Sequence, residues 1–152
     1  MPSFRRDRHA IFAAAALLVA ASIPHTAAGQ VIDRWSGQYA TVTEPQTIVA
    51  TTAGAWRSLL GLTGDAALQS KPFDEAHQTG IGIFLGRRST GGYGVQVVSM
   101  RSRDGRFVVE IDEQRPTDGS MVTQSLTSPW LILLIDRPEL PISIEPRFHA
   151  MQ

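Results

Sequence analysis

Residues 93–112, YGVQVVSMRSRDGRFVVEID, decide the fold. Tyr93–Met100 and Arg106–Asp112 are two strand-like runs, and Asp104-Gly105 lies between them. That pair tolerates the positive φ angles of a tight hairpin turn. Phe107, Val109 and Ile111 alternate with Val108, Glu110 and Asp112, so one face of the second strand is expected to be buried and the other mostly wet. Working outward, Ile81–Leu85 and Met121–Leu126 read as further strands. Leu131-Ile132-Leu133-Leu134-Ile135 is continuously apolar, the pattern of a strand covered on both faces. Pro141–Glu145 fits an edge strand whose prolines block pairing at its ends.

Toward the N-terminus, Gln38–Thr43 and Gln46–Thr51 read as two strands, or one strand bent at Glu44-Pro45. Thr52 is placed to cap a helix over Ala53–Leu62. There Trp56, Leu59 and Leu60 fall on one face, and Gly61 and Gly64 offer stops. Asp65–Gln78 is irregular by composition. The expectation is a mainly β, antiparallel, sheet- or sandwich-like domain with one short amphipathic α-helix.

The first 29 residues have a different character. Arg5, Arg6 and Arg8 precede an uncharged run from Ala10 to Ile23, and Thr26-Ala27-Ala28-Gly29 offers cleavage after Ala28 or Gly29. This order of charge, short apolar run and small residues is that of a secretory signal peptide. The run is shorter than the roughly 20 apolar residues a membrane span needs. Residues 30–152 then form one mature domain, periplasmic or secreted, with no transmembrane segment. Twin-arginine export is only hinted at, because Asp7, Arg8 and His9 follow Arg5-Arg6 where apolar residues are preferred.

The chain has no cysteine and carries 14 basic and 14 acidic residues. With Arg5, Arg6, Arg8 and Asp7 lost in the leader, the mature charge is about −2, which gives no footprint for nucleic acid. The glycine-rich stretch Gly86–Val95, GRRSTGGYGV, lacks the lysine and following helix of a phosphate loop. Its glycines are read as serving a sharp turn between strands. Asp74-Glu75-Ala76-His77 spells a helicase-like string without its context, and no third ligand accompanies it as a metal site. No nucleophile elbow and no cysteine–histidine pair appears. Catalytic residues, metal and cofactors are therefore all read as none.

From Trp56 to Ile135 the chain resembles the C-terminal domain of the PrcB family. The likeness rests on Trp56 in AWRSLLG, the apolar strand ending at Gly86, RSTGGYGVQVVSM, and the hairpin as far as Pro116. It continues through MVTQSLTSPW at 121–130 and the strand Leu131–Ile135. Trp130 stands where tyrosine is more usual. The resemblance implies an exported, non-catalytic, β-rich accessory or binding domain, since the family's namesake associates with a secreted protease. Ser89–Tyr93 and Ser128-Pro129-Trp130 are also similar to two loops of chagasin-type protease inhibitors, although Gly and Pro turn preferences account for the same letters. A protease inhibitor, or a structural envelope protein without a discrete ligand, is thus the alternative.

A protein partner is expected, and the candidate contact residues are Arg87, Arg88, Gly91, Gly92, Tyr93, Ser128, Pro129 and Trp130, brought together at one end of the sheet. Tyr93 and Trp130 are the aromatic anchors in this reading, with core packing as the alternative role for each. Intact-mass measurement of the protein exported from a bacterial host should show loss of residues 1–28 or 1–29. An unprocessed chain would contradict the leader.

Overall fold

The computed structural model describes residues 29–147, so the leader read over residues 1–29 lies, apart from Gly29, outside the described residues. In chain order the elements are β1 (Val31–Gly37), β2 (Gln46–Ala50), α1 (Ala53–Gly61), a 3₁₀ turn (Ala66–Leu68), β3 (Gln78–Phe84), β4 (Gly94–Arg103), β5 (Arg106–Gln114), β6 (Trp130–Asp136) and β7 (Ile142–Pro146). They make two sheets. One is antiparallel with order β1-β6-β3-β2; the other has order β4-β5-β7. In the second, β4 and β5 are antiparallel, whereas β7 runs parallel to β5.

The hairpin forms as its sequence requires. Asp104 and Gly105 both have positive φ, 52° and 72°, matching the right-handed twist of the strands they join. Phe107 and Val109 are buried against the first sheet, and Ile111 packs on the same cluster. On the outer face, Glu110 accepts a hydrogen bond from Ser99 Oγ at 3.0 Å and pairs with Arg101.

β6 is the centre of the molecule. Ile132 and Leu134 pack on the helix side with Trp56, Leu59 and Leu60. Leu131, Leu133 and Ile135 pack on the other side with Val95, Phe107 and Val109. Helix, four-stranded sheet and three-stranded sheet therefore form three layers with two cores. This is why the β6 sequence shows no polar alternation.

The helix begins where its cap predicts. Thr52 Oγ1 accepts from Ala55 N at 3.2 Å, and Glu75 Oε1 accepts from Ala53 N at 2.6 Å. Such a cap contributes about 1 kcal/mol, whereas each fully buried Leu or Trp contributes about 1.5–3 kcal/mol. Packing of the buried face, more than capping, therefore fixes the helix. β3 is shaped to receive it. Its helix-facing residues are Gly80, Gly82 and Phe84, and a Cβ at Gly80 would enter the Trp56 ring. The opposite face carries Ile81 and Ile83 into the second core.

Two expectations are corrected. Gln38–Thr43 is not a strand. Only Tyr39 makes a bridge, to Ser128, and the strand that flanks β6 is β1, seven residues earlier. β1 was overlooked because it lies at a sheet edge, and its Val31 and Ile32 stay exposed instead of alternating inward. Met121–Leu126 is also not a strand: in this loop Gly91 N bonds Thr123 O at 2.9 Å, and the chain then returns to the first sheet as β6. The pairing is mainly antiparallel, as expected, with β7 added to β5 in parallel.

Gly80→Ala should cost about 1–3 kcal/mol by forcing the rigid Trp56 ring away from β3. Gly61→Ala, where the added methyl meets open space, should be neutral or stabilise by up to about 1 kcal/mol. Urea denaturation of the two variants tests the contrast.

Candidate functional site: the corner where the chain changes sheets

Gly86 ends β3 with φ +74°, and a Cβ there would strike the backbone of Thr43–Pro45 at 2.7–2.8 Å. Glycine is required both for the angle and for this approach. Beyond it the chain stays close to the segment leading into β6. Leu85 N donates to Pro129 O (3.0 Å), Arg88 and Thr127 exchange backbone bonds (2.8 and 2.9 Å), and Thr127 Oγ1 donates to Thr90 O (2.8 Å). The 38–40 segment joins from the other side, with Ser128 N donating to Gln38 O at 2.7 Å and Ala40 N to Ser128 O at 3.0 Å. Gln38 Nε2 also donates to Tyr93 O at 3.0 Å. Gly92, with φ +85°, turns the chain into β4 against Pro116 and Val122.

The candidate residues of 87–93 and 128–130 are thus brought side by side, but they divide by role. Arg88 is a clamp. Its Nε and one terminal nitrogen grip both carboxylate oxygens of Glu113 at 3.2 and 3.0 Å, and the other terminal nitrogen donates to Leu85 O at 2.8 Å. The guanidinium also lies over the Tyr93 ring, 5.7 Å from its centroid. A forked guanidinium–carboxylate pair of this kind is geometrically specific, and it ties the corner to the end of β5. Tyr93 is half-buried and packs on the second core. Gly91, Ser128 and Pro129 are buried.

Trp130 is withdrawn from the contact surface. It is 4% exposed, belongs to the helix-side core, and covers Gly37 so closely that a Cβ there would meet the indole at 2.7 Å. As the first residue of β6 it is oriented by that strand's pairing with Gly37 and Phe84. Arg87 and Gly92 remain exposed.

The side chains that do reach solvent here were not singled out from the sequence. Tyr39 is 67% exposed, Leu126 60% and Met121 99%. Each lay in a segment read as a strand, where alternate apolar residues would turn inward. Beside the clamp, a cleft of about 560 Å³ opens between the sheets, lined by Leu85, Val95, Ile111, Glu113 and Pro146. Its apolar walls and ion-paired rim suit a contact surface.

Asp74–His77 forms a local turn at a distance from this corner in the chain. Asp74 accepts from Ala76 N at 2.9 Å and meets His77 Nδ1 at 2.8 Å. The His77 contact, helped by the Ala76 amide, holds the exposed Asp74 carboxyl below its ordinary range. Its small contribution to folding is therefore present above the ordinary carboxylate pKa and is lost as the pH falls through the lowered one.

Fold and site together define a layered β scaffold that presents a braced loop end. The PrcB C-terminal family model matches residues 79–136, and the resemblance drawn from the TGGY and SPW segments is a match to that family. The matched region runs from β3 through the corner, the hairpin and the 115–129 loop to β6, and leaves α1 outside. No curated protein and no solved structure matches the chain significantly. No helix among the described residues is long and apolar enough to cross a membrane.

Arg88→Ala should destabilise the protein by about 1–3 kcal/mol, since it leaves the partly buried Glu113 with only the longer Arg115 pair and takes the guanidinium from the Leu85 carbonyl. Trp130→Ala should cost more, about 3–5 kcal/mol, as a core truncation. Thermal melts in which Trp130→Ala is silent would return that residue to the surface.

Proposed function

We propose that the protein is an exported, non-catalytic accessory domain that engages a secreted or envelope protease through its corner end. The family match supports a protease-complex accessory role at the level of the family. The observation that carries the reading to this surface is the convergence of two family-matched segments, 86–93 and 121–130, with the exposed apolar side chains Tyr39, Leu126 and Met121. Isolated apolar residues on a surface are ordinary. Three of them around one braced corner give large contact area on a backbone that is already ordered, so little entropy remains to be lost on binding. Arg87 supplies charge at the rim.

The inhibitor alternative relies on an aromatic at the tip of the Ser128–Trp130 loop. With Trp130 in the core, that reading lacks its anchor.

Affinity capture of the tagged mature protein from its own envelope fraction should recover a protease. Tyr39→Ala with Leu126→Ala should abolish that recovery while leaving the melting temperature unchanged. Capture that survives both substitutions would move the contact surface elsewhere. Recovery of no protease would refute the accessory role.

A further inference from the structure

The helix covers only part of its face of the first sheet. A Cβ at Gly80 would enter the Trp56 ring and one at Gly82 would meet Leu59, so α1 lies over these two residues. Toward β1 the cover changes. Asp33 and Trp35 stand opposite Leu134 and Ile132 in the β1–β6 ladder and so share the helix-side face. The segment 71–74 faces them, tied to α1 by Trp56 Nε1, which donates to Lys71 O at 3.1 Å. Between this segment and the sheet lies a cavity of about 510 Å³, bordered by Trp35, Phe73, Leu134, Lys71, Asp33 and Asp74. None of these residues belongs to the corner.

The aromatic walls of this cavity are held in place. Phe73 stacks on Trp56 with ring centroids 5.4 Å apart and planes inclined by 20°, and Trp35 meets the same indole at 6.1 Å and 53°. Trp56 itself is buried in the helix-side core. The rings therefore lose little freedom when a ligand arrives. The cavity already attracts a positive charge: the Lys71 ammonium lies over the half-buried Trp35 ring, 5.3 Å from its centroid, within the range of a cation–π contact. Among the described residues no carboxylate pairs with this ammonium. Asp33 and Asp74 nevertheless border the cavity, so its wall sets two negative charges against one positive.

We propose that this cavity binds an organic cation bearing a quaternary ammonium group, which takes the place of Lys71 on the Trp35 face. A lysine ammonium is compact and strongly hydrated. Over the ring it gains the attraction of the π face but gives up contacts with water, so leaving that face costs it little. A quaternary ammonium has no N–H to keep hydrated. Its methyl groups gain by leaving water for Trp35, Phe73 and Leu134, and its charge gains from the same π face. Asp33 and Asp74 supply the opposing charge. The flexible stem of Lys71 lets its ammonium swing out to solvent, so Lys71 acts as a tethered competitor for the site. For an anionic or hydroxyl-rich ligand the sign would be opposite, because the three donors of Lys71 would then be an anchor.

Proton–nitrogen correlation spectra of the purified protein, titrated with choline chloride, test this through the tryptophan indole signals. The Trp35 signal should shift saturably, and ammonium chloride at equal ionic strength should leave it in place. Lys71→Ala should lower the choline dissociation constant about threefold, the size of a lost cation–π competitor. Trp35→Leu should abolish saturation transfer from the protein to the choline methyl protons. If that variant does not fold, the sign of the Lys71→Ala effect decides the matter. Absence of a saturable shift overturns the proposal, as does an equal response to ammonium chloride. Weaker choline binding in Lys71→Ala overturns it too and points to a ligand anchored by the ammonium. Once choline binds, retention by phosphatidylcholine but not phosphatidylglycerol vesicles supports the proposal with a lipid headgroup as the source, and choline binding without retention supports it with a soluble molecule.

Discussion

Everything in this structure depends on burial of β6 on both faces. A strand with Ile132 and Leu134 toward the helix and Leu131, Leu133 and Ile135 toward the second sheet cannot fold against one layer alone. Leaving either face in water would forfeit about 1.5–3 kcal/mol for each large side chain. The two cores are therefore coupled through one strand of backbone. Its neighbour β3 makes the same division with different residues, glycine beneath the helix and isoleucine beneath the second sheet. The helix can lie close because β3 gives it almost no side chain to climb over.

The corner at Gly86–Tyr93 is the mechanical counterpart of that coupling. The chain must leave one sheet, build a hairpin in the other and return. Gly86 allows the departure, Gly92 completes the turn, and Arg88 fixes the angle by gripping Glu113 and the Leu85 carbonyl together. The residues that give this stretch its distinctive sequence thus mostly brace the turn. The surface available for contact belongs to their neighbours Tyr39, Met121 and Leu126, which the bracing holds in place.

The parts legible in the sequence were those where local chemistry and tertiary packing agree. Asp104-Gly105 needs positive φ wherever it lies, Thr52 can cap only the turn that follows it, and an unbroken apolar run such as Leu131–Ile135 must be covered on both sides. Reading failed where a segment's state is set by a distant neighbour. β1 is a strand because β6 offers it an edge, and its exposed residues carry no alternation. Gln38–Thr43 and Met121–Leu126 have strand-like composition but make only isolated bonds with their neighbours. Trp130 looked equally suited to surface and core, and only the close approach of Gly37 and the helix side of β6 decides between them. The site suffered from the same ambiguity: apolar residues in misread strands were assigned to an interior that they never reach.

The bond between Leu85 N and Pro129 O pinches off everything between those residues as a closed excursion. Within it, β4 and β5 are joined by a two-residue turn and can zip together from local contacts. The pairing of β3 with β6 instead waits for the whole excursion to be enclosed, and loop closure of that length is entropically slow. β1 and β7, from the two ends of the described chain, then add to edges that already exist. The structure so implies an order of assembly: hairpin first, central pairing as the slow step, and the flanking strands last.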